Sequence, residues 1–413
     1  MQKPPANNLP SFPVTPDALR ILPTGIWALG FVSLLMDASS ELVHSLLPVF
    51  MVTVLGASMT TIGLIEGVAE AAAAITKVFS GVISDYLGRR KLLAVLGYGL
   101  AALTKPVFPL ATTIGWVFTA RFVDRIGKGI RGAPRDALVA DITPRELRGA
   151  AYGLRQSLDS VGAFSGPLLA LGLMAWFANN IHAVLWVAVI PAFLAVALLI
   201  FGVNEPRHAE GLSSVRMPVT LNEMKKLSRR FWLVVLLGAV FTLARFSEAF
   251  LILRAQNVGL AIGYVPLVLI VMNIVYAATA YPAGVASDRI GHRTTLAWGL
   301  GILVIADIIL AMAASPLTAM IGAALWGLHM GLTQGLLSRL VADNVPAALR
   351  GSAFGVFNLV SGVALLLASV IAGALWSAFG ASATFIAGAV FAALPMFGLL
   401  SWRWKHPAIQ EER

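Results

Sequence analysis

The chain has 413 residues, no cysteine, 58% hydrophobic residues and only 12% charged ones. Soluble domains carry roughly 25% charged residues, so this density cannot coat a soluble surface, and the mean hydropathy of +0.83 agrees. A soluble multidomain enzyme, a disordered chain and a disulfide-stapled secreted domain are thereby excluded, which leaves a polytopic membrane protein with a net charge of +10.

Residues 1–24 are proline-rich and lack an apolar run, so they read as a flexible tail and not as a signal peptide. A bilayer core of ~30 Å needs ~20 apolar residues per helix. In chain order, spans are predicted at 25–50, 58–84, 91–111, 149–177, 181–203, 231–257, 262–286, 294–314, 316–342, 350–378 and 381–402. Segment 112–140 is too charged for a lipid-facing helix, with Arg121, Asp124, Arg125, Lys128, Arg131, Arg135 and Asp136. An internal repeat places it nonetheless. Gly81-Val-Ile-Ser-Asp85-Tyr-Leu-Gly88-Arg89-Arg90 recurs as Gly284-Val-Ala-Ser-Asp288-Arg-Ile-Gly291-His292-Arg293, an offset of 203. Val139-Ala-Asp141 with Arg148-Gly149 recurs as Val341-Ala-Asp343 with Arg350-Gly351, an offset of 202. Two homologous halves follow, and 112–140 must span because its counterpart 316–342 does. The expected fold is an all-α membrane protein of twelve transmembrane helices in two pseudo-symmetric six-helix bundles. The bundles are 25–203 and 231–402, with a charged linker at 204–230 and a tail at 403–413.

Basic residues set the orientation. Arg89, Arg90, Lys91, Arg145, Arg148, Arg289, Arg293, Arg350 and the basic linker all fall in alternate loops, whereas the loops near 51–60, 178–182, 314–317 and 378–382 contain no Lys or Arg. Both termini are expected in the cytoplasm. The pI of 10.2 is therefore a topology signal and not the footprint of a nucleic-acid partner. The cysteine-free, loop-poor chain suits a bacterial inner membrane, and a monomer is the expected unit.

The loop segment Gly81-x-x-x-Asp85-x-x-Gly88-Arg89-Arg90 resembles the loop between helices 2 and 3 of the major facilitator superfamily. The weaker copy at Gly284–Arg293, with Asp288, sits where that superfamily places its second. The resemblance covers almost the whole chain and implies alternating access, with Asp85 forming a cytoplasmic latch to an Arg that opens as the halves rock. Gly81 and Gly88 permit close helix approach and a tight turn. Arg121 followed by Gly127 and Gly129 resembles helix 4 of proton-coupled members. Gly162-Ala-Phe-Ser-Gly166-Pro167 resembles the start of the helix-5 motif of drug-efflux antiporters. It departs from that motif after Pro167, where Leu168-Leu-Ala-Leu171 precedes a single Gly172; a plain packing kink remains the alternative.

Charge inside a bilayer is costly, ~2.5–3.5 kcal/mol or more per residue at the centre, so it must pair or face water. At helical spacing Asp37, Glu41 and His44 share one stripe of helix 1, Glu66, Glu70 and Lys77 share one of helix 2, and Arg121, Arg125, Lys128, Arg131 and Arg135 span a third of helix 4. Arg155 and Asp159 are four apart and able to pair. The simplest arrangement is an acidic wall facing a basic one across a cavity. The pathway candidates are Asp37, Glu41, His44, Glu66, Glu70, Arg121, Asp124, Arg125 and Lys128, with Glu41 and His44 the best proton carriers. Buried structural pairing of Arg121, Arg125 and Lys128 with Asp124 or Glu66 is the alternative. Arg131, Arg135 and Asp136 suit an inter-half salt-bridge network, and Lys77 should pair with an acidic neighbour. Trp27, Trp116, Trp186, Trp232 and Trp376 read as interface anchors. The second half offers Arg245, Glu248, Arg254, Asp307, His329, Arg339 and Asp343.

No phosphate loop, His-Glu-x-x-His or Gly-x-Ser-x-Gly motif occurs, and the histidines form no metal cluster. No cofactor, metal or enzymatic activity is expected. The reading is a proton-coupled secondary transporter of a small organic solute, anionic or chelator-like. The rivals are a hydrophobic drug exporter of the same fold, and a non-transporting sensor or intramembrane enzyme. Single cysteines at Ser58, Asn180 and Ser315 should react with an impermeant thiol reagent from outside the cell, and one at Ser213 should not; external labelling at Ser213 reverses the topology.

Overall fold

The structure, a computed structural model, describes residues 21–205, 224, 227–333, 336–346 and 349–401. The tails 1–20 and 402–413, most of the linker, and the side chains of Asp85 and Asp288 lie outside the described residues. Twelve helical columns run through the described chain. The first six are α1 (Thr24–Thr53), α2 (Met59–Leu87), α3 (Arg90–Thr104, continued by Val107–Leu110), α4 (Ile114–Ile142), α5 (Arg148–Trp176) and α6 (Ile181–Val187, then Val189–Gly202). The second six are α7 (Arg229–Leu243, then Ala249–Asn257), α8 (Leu267–Ile290), α9 (His292–Met312), α10 (Pro316–Thr333, then Leu336–Asp343), α11 (Arg350–Phe379) and α12 (Ala381–Ser401).

The boundaries follow local chemistry. The Ser58, Asn180 and Ser228 side chains accept the Thr61, Ala183 and Phe231 N–H groups at the starts of α2, α6 and α7. Gly88 ends α2 at φ 60°, the left-handed conformation that glycine adopts without strain. Arg254 donates to the Leu310, Ala311 and Ala313 carbonyls at the end of α9, which satisfies acceptors that the helix cannot. Eight columns are long and apolar enough to cross a membrane by composition alone. The other four are α2 and α4, which carry charge, α7, which is interrupted, and α10, whose residues 334 and 335 lie outside the described chain.

Packing repeats the sequence symmetry. In the first half α4 packs on α2 and α3 while α1 packs on α5 and α6; in the second α10 packs on α8 and α9 while α7 packs on α11 and α12. The halves meet through α2 against α11 and α5 against α8, which are symmetry equivalents. The lipid-facing shell is large and apolar, with Trp176, Phe201 and Phe379 among the most exposed. Trp116, Trp186 and Trp232 are exposed at their helix ends, as anchors would be. Trp376 corrects the anchor expectation: it is buried, with its ring centroid 5.9 Å from Phe250 and 6.1 Å from Phe385.

Two features shape the centre. The span predicted at 231–257 is not one helix: α7 breaks over Ala244–Glu248, inside the bundle. The second feature is the seam between α2 and α11 near the loops without basic residues. Thr60 Oγ1 donates to Ser377 Oγ at 2.9 Å and to the Gly373 carbonyl at 3.4 Å. A Cβ at Gly63 would collide with the Ser369 carbonyl, and one at Gly67 would lie 2.9 Å from the Leu366 carbonyl. Glycine is required because the backbones touch. Overpacking costs ~1–3 kcal/mol, which is roughly a 5- to 150-fold change in a closed-to-open ratio. Gly63→Val should therefore part the seam, measured as faster labelling of Ser369→Cys by an impermeant reagent added from the side without basic loops; an unchanged rate shows that the seam does not gate that side.

Candidate functional site

The break in α7 opens onto a central cavity of about 460 Å³. Glu41 and His44 of α1, Glu70 of α2, and Arg125 and Lys128 of α4 line one side. Arg245, Phe246, Ser247 and Glu248 from the break, with Trp326 and Met330 of α10, line the other. A second chamber of about 530 Å³ shares Glu41, Glu70, Lys128 and Thr242 with the first. It runs past Asp37, Lys77, Arg131 and Arg135 toward the face bearing the basic loops. Non-helical backbone inside a membrane is tolerated only where it is buried in protein or lines a water-filled cavity, and discontinuous helices at the midplane are where transporters place their binding sites.

Behind the first-half wall lies a buried ionic network. The Arg121 guanidinium, 2% exposed, donates through Nε to Glu66 Oε1 at 3.2 Å and through Nη2 to Glu66 Oε2 at 2.7 Å. This two-pronged geometry is the strongest an Arg and a carboxylate can form. Arg125 Nε lies 3.2 Å from Glu70 Oε1. Both guanidiniums reach His44 Nδ1, at 2.9 and 3.4 Å. An Arg has donors only, so Nδ1 is the acceptor and the ring proton sits on Nε2, which has no hydrogen-bond partner among the described residues. The network also crosses to the other half, where Ser247 Oγ in the break of α7 donates to Glu66 Oε2 at 3.5 Å. Removing one partner of such a buried pair typically costs ~3–5 kcal/mol, so this layer is structural as well as electrostatic.

The pathway candidates therefore separate into layers. Glu41, His44, Glu70, Arg125, Lys128 and Asp37 line the cavity. Glu66 and Arg121 stand behind it as a buried pair. Asp124 turns away altogether, and its carboxylate accepts from Lys105 Nζ at 2.8 Å on the α3 side. The two walls do not simply oppose each other: Glu70 is taken by Arg125, and Asp37 lies 3.6 Å from Arg131. Arg135 reaches Asp136 at 3.2 Å and Asp159 at 3.6 Å, and Arg155 lies 3.6 Å from Asp159. These last pairs stay within the first half and do not bridge the halves, because α5 packs directly against α1 and brings Asp159 beside α4. Lys77 forms no ion pair among the described residues and is exposed to the second chamber.

The helix-5 residues act in packing. α5 runs through Pro167 as one helix. A Cβ at Gly162 would press on the Leu34 backbone, and one at Gly166 would lie 2.7 Å from the Glu41 Cβ. The two glycines thus let α5 seat the helix that presents Glu41. Among the loop-motif residues, Gly81 lies against Ala133 of α4, Arg89 is exposed, and Arg90 bonds Asp141 and the Ala137 carbonyl.

Three site features were not singled out from sequence. Lys105 is the one lysine inside the predicted span 91–111 beyond its first residue, Lys91, and that was itself the signal. The Arg245–Glu248 break was legible only as two charges in an apolar span. Trp326 joins the cavity wall to Asp307, to which its Nε1 donates at 3.0 Å. His329, buried, instead bonds the Gly299 carbonyl at 2.8 Å as an interior packing group. Among the described residues no cluster able to hold a metal ion occurs.

Comparison with known proteins agrees with this architecture. The Major Facilitator Superfamily profile matches residues 29–259 and 247–412. An uncharacterized MFS-type transporter of Methanocaldococcus jannaschii is 32% identical over 90% of this chain and 93% of its own. The class C tetracycline resistance protein of Escherichia coli is 28% identical over 75% of this chain and 80% of its own. In fold, the nucleoside transporter NupG superposes with a TM-score of 0.75 at 14% identity, covering 92% of this chain and 99% of that one. A bacterial homologue of the lysosomal transporter Spinster, described as inward-facing and unoccupied, does so at 0.72 and 16% identity, covering 96% and 100%. With the doubled six-helix packing, the loop motif in both halves and the broken helix at the central cavity, this chain belongs to the major facilitator superfamily.

Proposed function

We propose that the chain is a secondary active transporter that moves a small organic solute by alternating access, coupled to protons, and that it is not an enzyme. One observation carries the reading. The cavity lies beside the close-packed α2–α11 seam, and its walls bring together charges from both halves that have no ion-pair partner among the described residues: Lys128 and Glu41 from the first, Arg245 and Glu248 from the second. Lys128 and Arg245 suit an anionic group on the solute. Phe246, Trp326 and Met330 suit an apolar body beside it. The chamber volumes are those of small-molecule sites, ~300–1,000 Å³. Glu41 is the better proton carrier, because His44 Nδ1 already accepts from two guanidiniums that cannot deprotonate.

In this reading, which the basic loops support, both termini lie in the cytoplasm of a bacterial cell and the chain in its inner membrane; the seam then lies on the outer side and the present form faces inward. The bundles are 25–203 and 231–402, joined by the linker 204–230 between the tails 1–24 and 403–413, and one chain is the working unit. The segments Gly81–Arg90 and Gly284–Arg293 act as latches at the cavity mouth. A second reading, export of a hydrophobic drug by the same fold, is favoured by the aromatic wall and by the tetracycline resistance relatives.

In proteoliposomes, Glu41→Gln should abolish flux driven by a pH gradient while substrate exchange persists. Lys128→Ala should instead weaken binding of the solute. A charged hydrogen bond contributes ~1.5–3 kcal/mol, so Kd should rise about 10- to 150-fold. Melting temperature is followed beside flux to separate unfolding from loss of function. Normal pH-driven uptake in Glu41→Gln moves the coupling proton to another residue, and unchanged affinity in Lys128→Ala removes the anionic-solute assignment.

A further inference from the structure

The internal repeat exposes an asymmetry at the basic face. In the first half both anion-attracting features of the loop motif are occupied. Arg90 is bonded to Asp141, and the start of α3 is capped by Glu205, whose Oε1 accepts from the Lys91 backbone N–H at 3.0 Å. In the second half their counterparts are open. Arg293, the repeat equivalent of Arg90, has no hydrogen bond or ion pair among the described residues. The α9 N-terminus has Gly291 as its cap residue and no side-chain cap. His292 Nδ1 is also buried without a hydrogen-bond partner among the described residues.

Arg293 stands at the mouth of a lipid-facing groove of about 660 Å³ between α9 and α12. Arg293 and Thr294 form its polar end, and Trp298, Gly301, Ile305 and Met396 form the apolar remainder. A Cβ at Gly301 would lie 3.7 Å from the Met396 sulfur, so the groove bottoms out where glycine leaves room. At ~1.5 Å per residue, Arg293 to Ile305 spans about 18 Å, close to one leaflet of a ~30 Å hydrocarbon core.

We propose that this groove binds one anionic phospholipid, its phosphate held by Arg293, the Thr294 hydroxyl and the free N–H groups of α9, and one acyl chain lying along Gly301. The physics favours it. Helix N-termini and guanidiniums attract phosphate, and the basic face is where anionic headgroups gather. A free anion would leave the apolar remainder of the groove unused. The site shares no residue with the central cavity, so it stands whether or not the transport reading does.

The test is native mass spectrometry of the full chain released from detergent with phosphatidylglycerol or phosphatidylcholine. One phosphatidylglycerol should be retained at about fivefold preference, the effect of one basic residue at a membrane surface. Arg293→Gln should erase the preference. Gly301→Leu, which fills the groove without touching its charge, should reduce retention of both lipids at that site. Arg230→Gln serves as a charge-loss control and should leave the preference intact. Equal retention of the two lipids, or an unchanged preference in Arg293→Gln, overturns the proposal. Stabilisation by inorganic phosphate equal to that by phosphatidylglycerol would assign the site to a free anion and overturn the lipid.

Discussion

The Arg121–Glu66 pair is the interaction on which the rest of the structure depends. Two opposite charges at 2.7 Å, almost fully buried in a bilayer-spanning bundle, are stable only together. Their presence fixes the rotation of α4, because Arg121 must face α2. Once it does, Arg125 and Lys128 follow on the same stripe into the cavity, and Asp124, about 60° round the helix from Arg121, falls at the edge that faces Lys105. Lys105 then becomes necessary, since Asp124 would otherwise be a lone carboxylate against α3. A helix with so much charge thus spans the membrane because each charge has been given a partner or an aqueous face.

This rigid first-half core meets its opposite in the second half. There the cavity wall is an interruption of α7, held by few bonds: the Ser247 N–H donates to Ser369 Oγ at 3.2 Å, and the Ala249 N–H to Ser247 Oγ at 3.3 Å. One side of the cavity is therefore braced by ion pairs and the other by a short unwound segment tied to α11. Charge is thus preorganised on one wall, while the other is backbone free of helical hydrogen bonding.

Much of the fold was legible in the sequence, because a six-plus-six repeat leaves its trace in hydropathy, in loop charge and in the duplicated Gly81 motif. The repeat rescued α4, which composition alone would discard. The interruption of α7 was not legible. Arg245 and Glu248 signalled polarity but not unwinding, since neither Pro nor a Gly cluster marks the break. The stripe arithmetic put the right residues on α1, α2 and α4 but could not rank their depth. Glu66 and Glu70 lie four apart on one face, yet one is buried behind the wall and the other lines it, because Glu66 is enclosed by Arg121 of α4 and Ser247 of the α7 break. Lys105 escaped notice for a related reason, since a single lysine barely lowers the mean hydropathy of its window. The fate of Trp376 was likewise set by tertiary contact with Phe250 and Phe385 and not by its place near a helix end.

The contact between Ser247 and Glu66 links these observations. It joins the ionic core of one half to the broken helix of the other, beside the seam where Gly63 meets Ser369. Ser369 belongs to α11 and also accepts from the Ser247 backbone, so the break in α7 must travel with α11. When the seam parts, Glu66 loses its only second-half partner among the described residues and keeps Arg121. The pair then meets water on a side from which it is now shielded, and its mutual attraction weakens as the local dielectric rises. Opening the seam therefore changes the electrostatic environment of Arg121, and through Arg121 that of His44 and the cavity wall. The same chain of contacts runs from the cavity wall through His44 and Arg121 to Glu66 and Ser247, so a change of charge at one end is felt at the other.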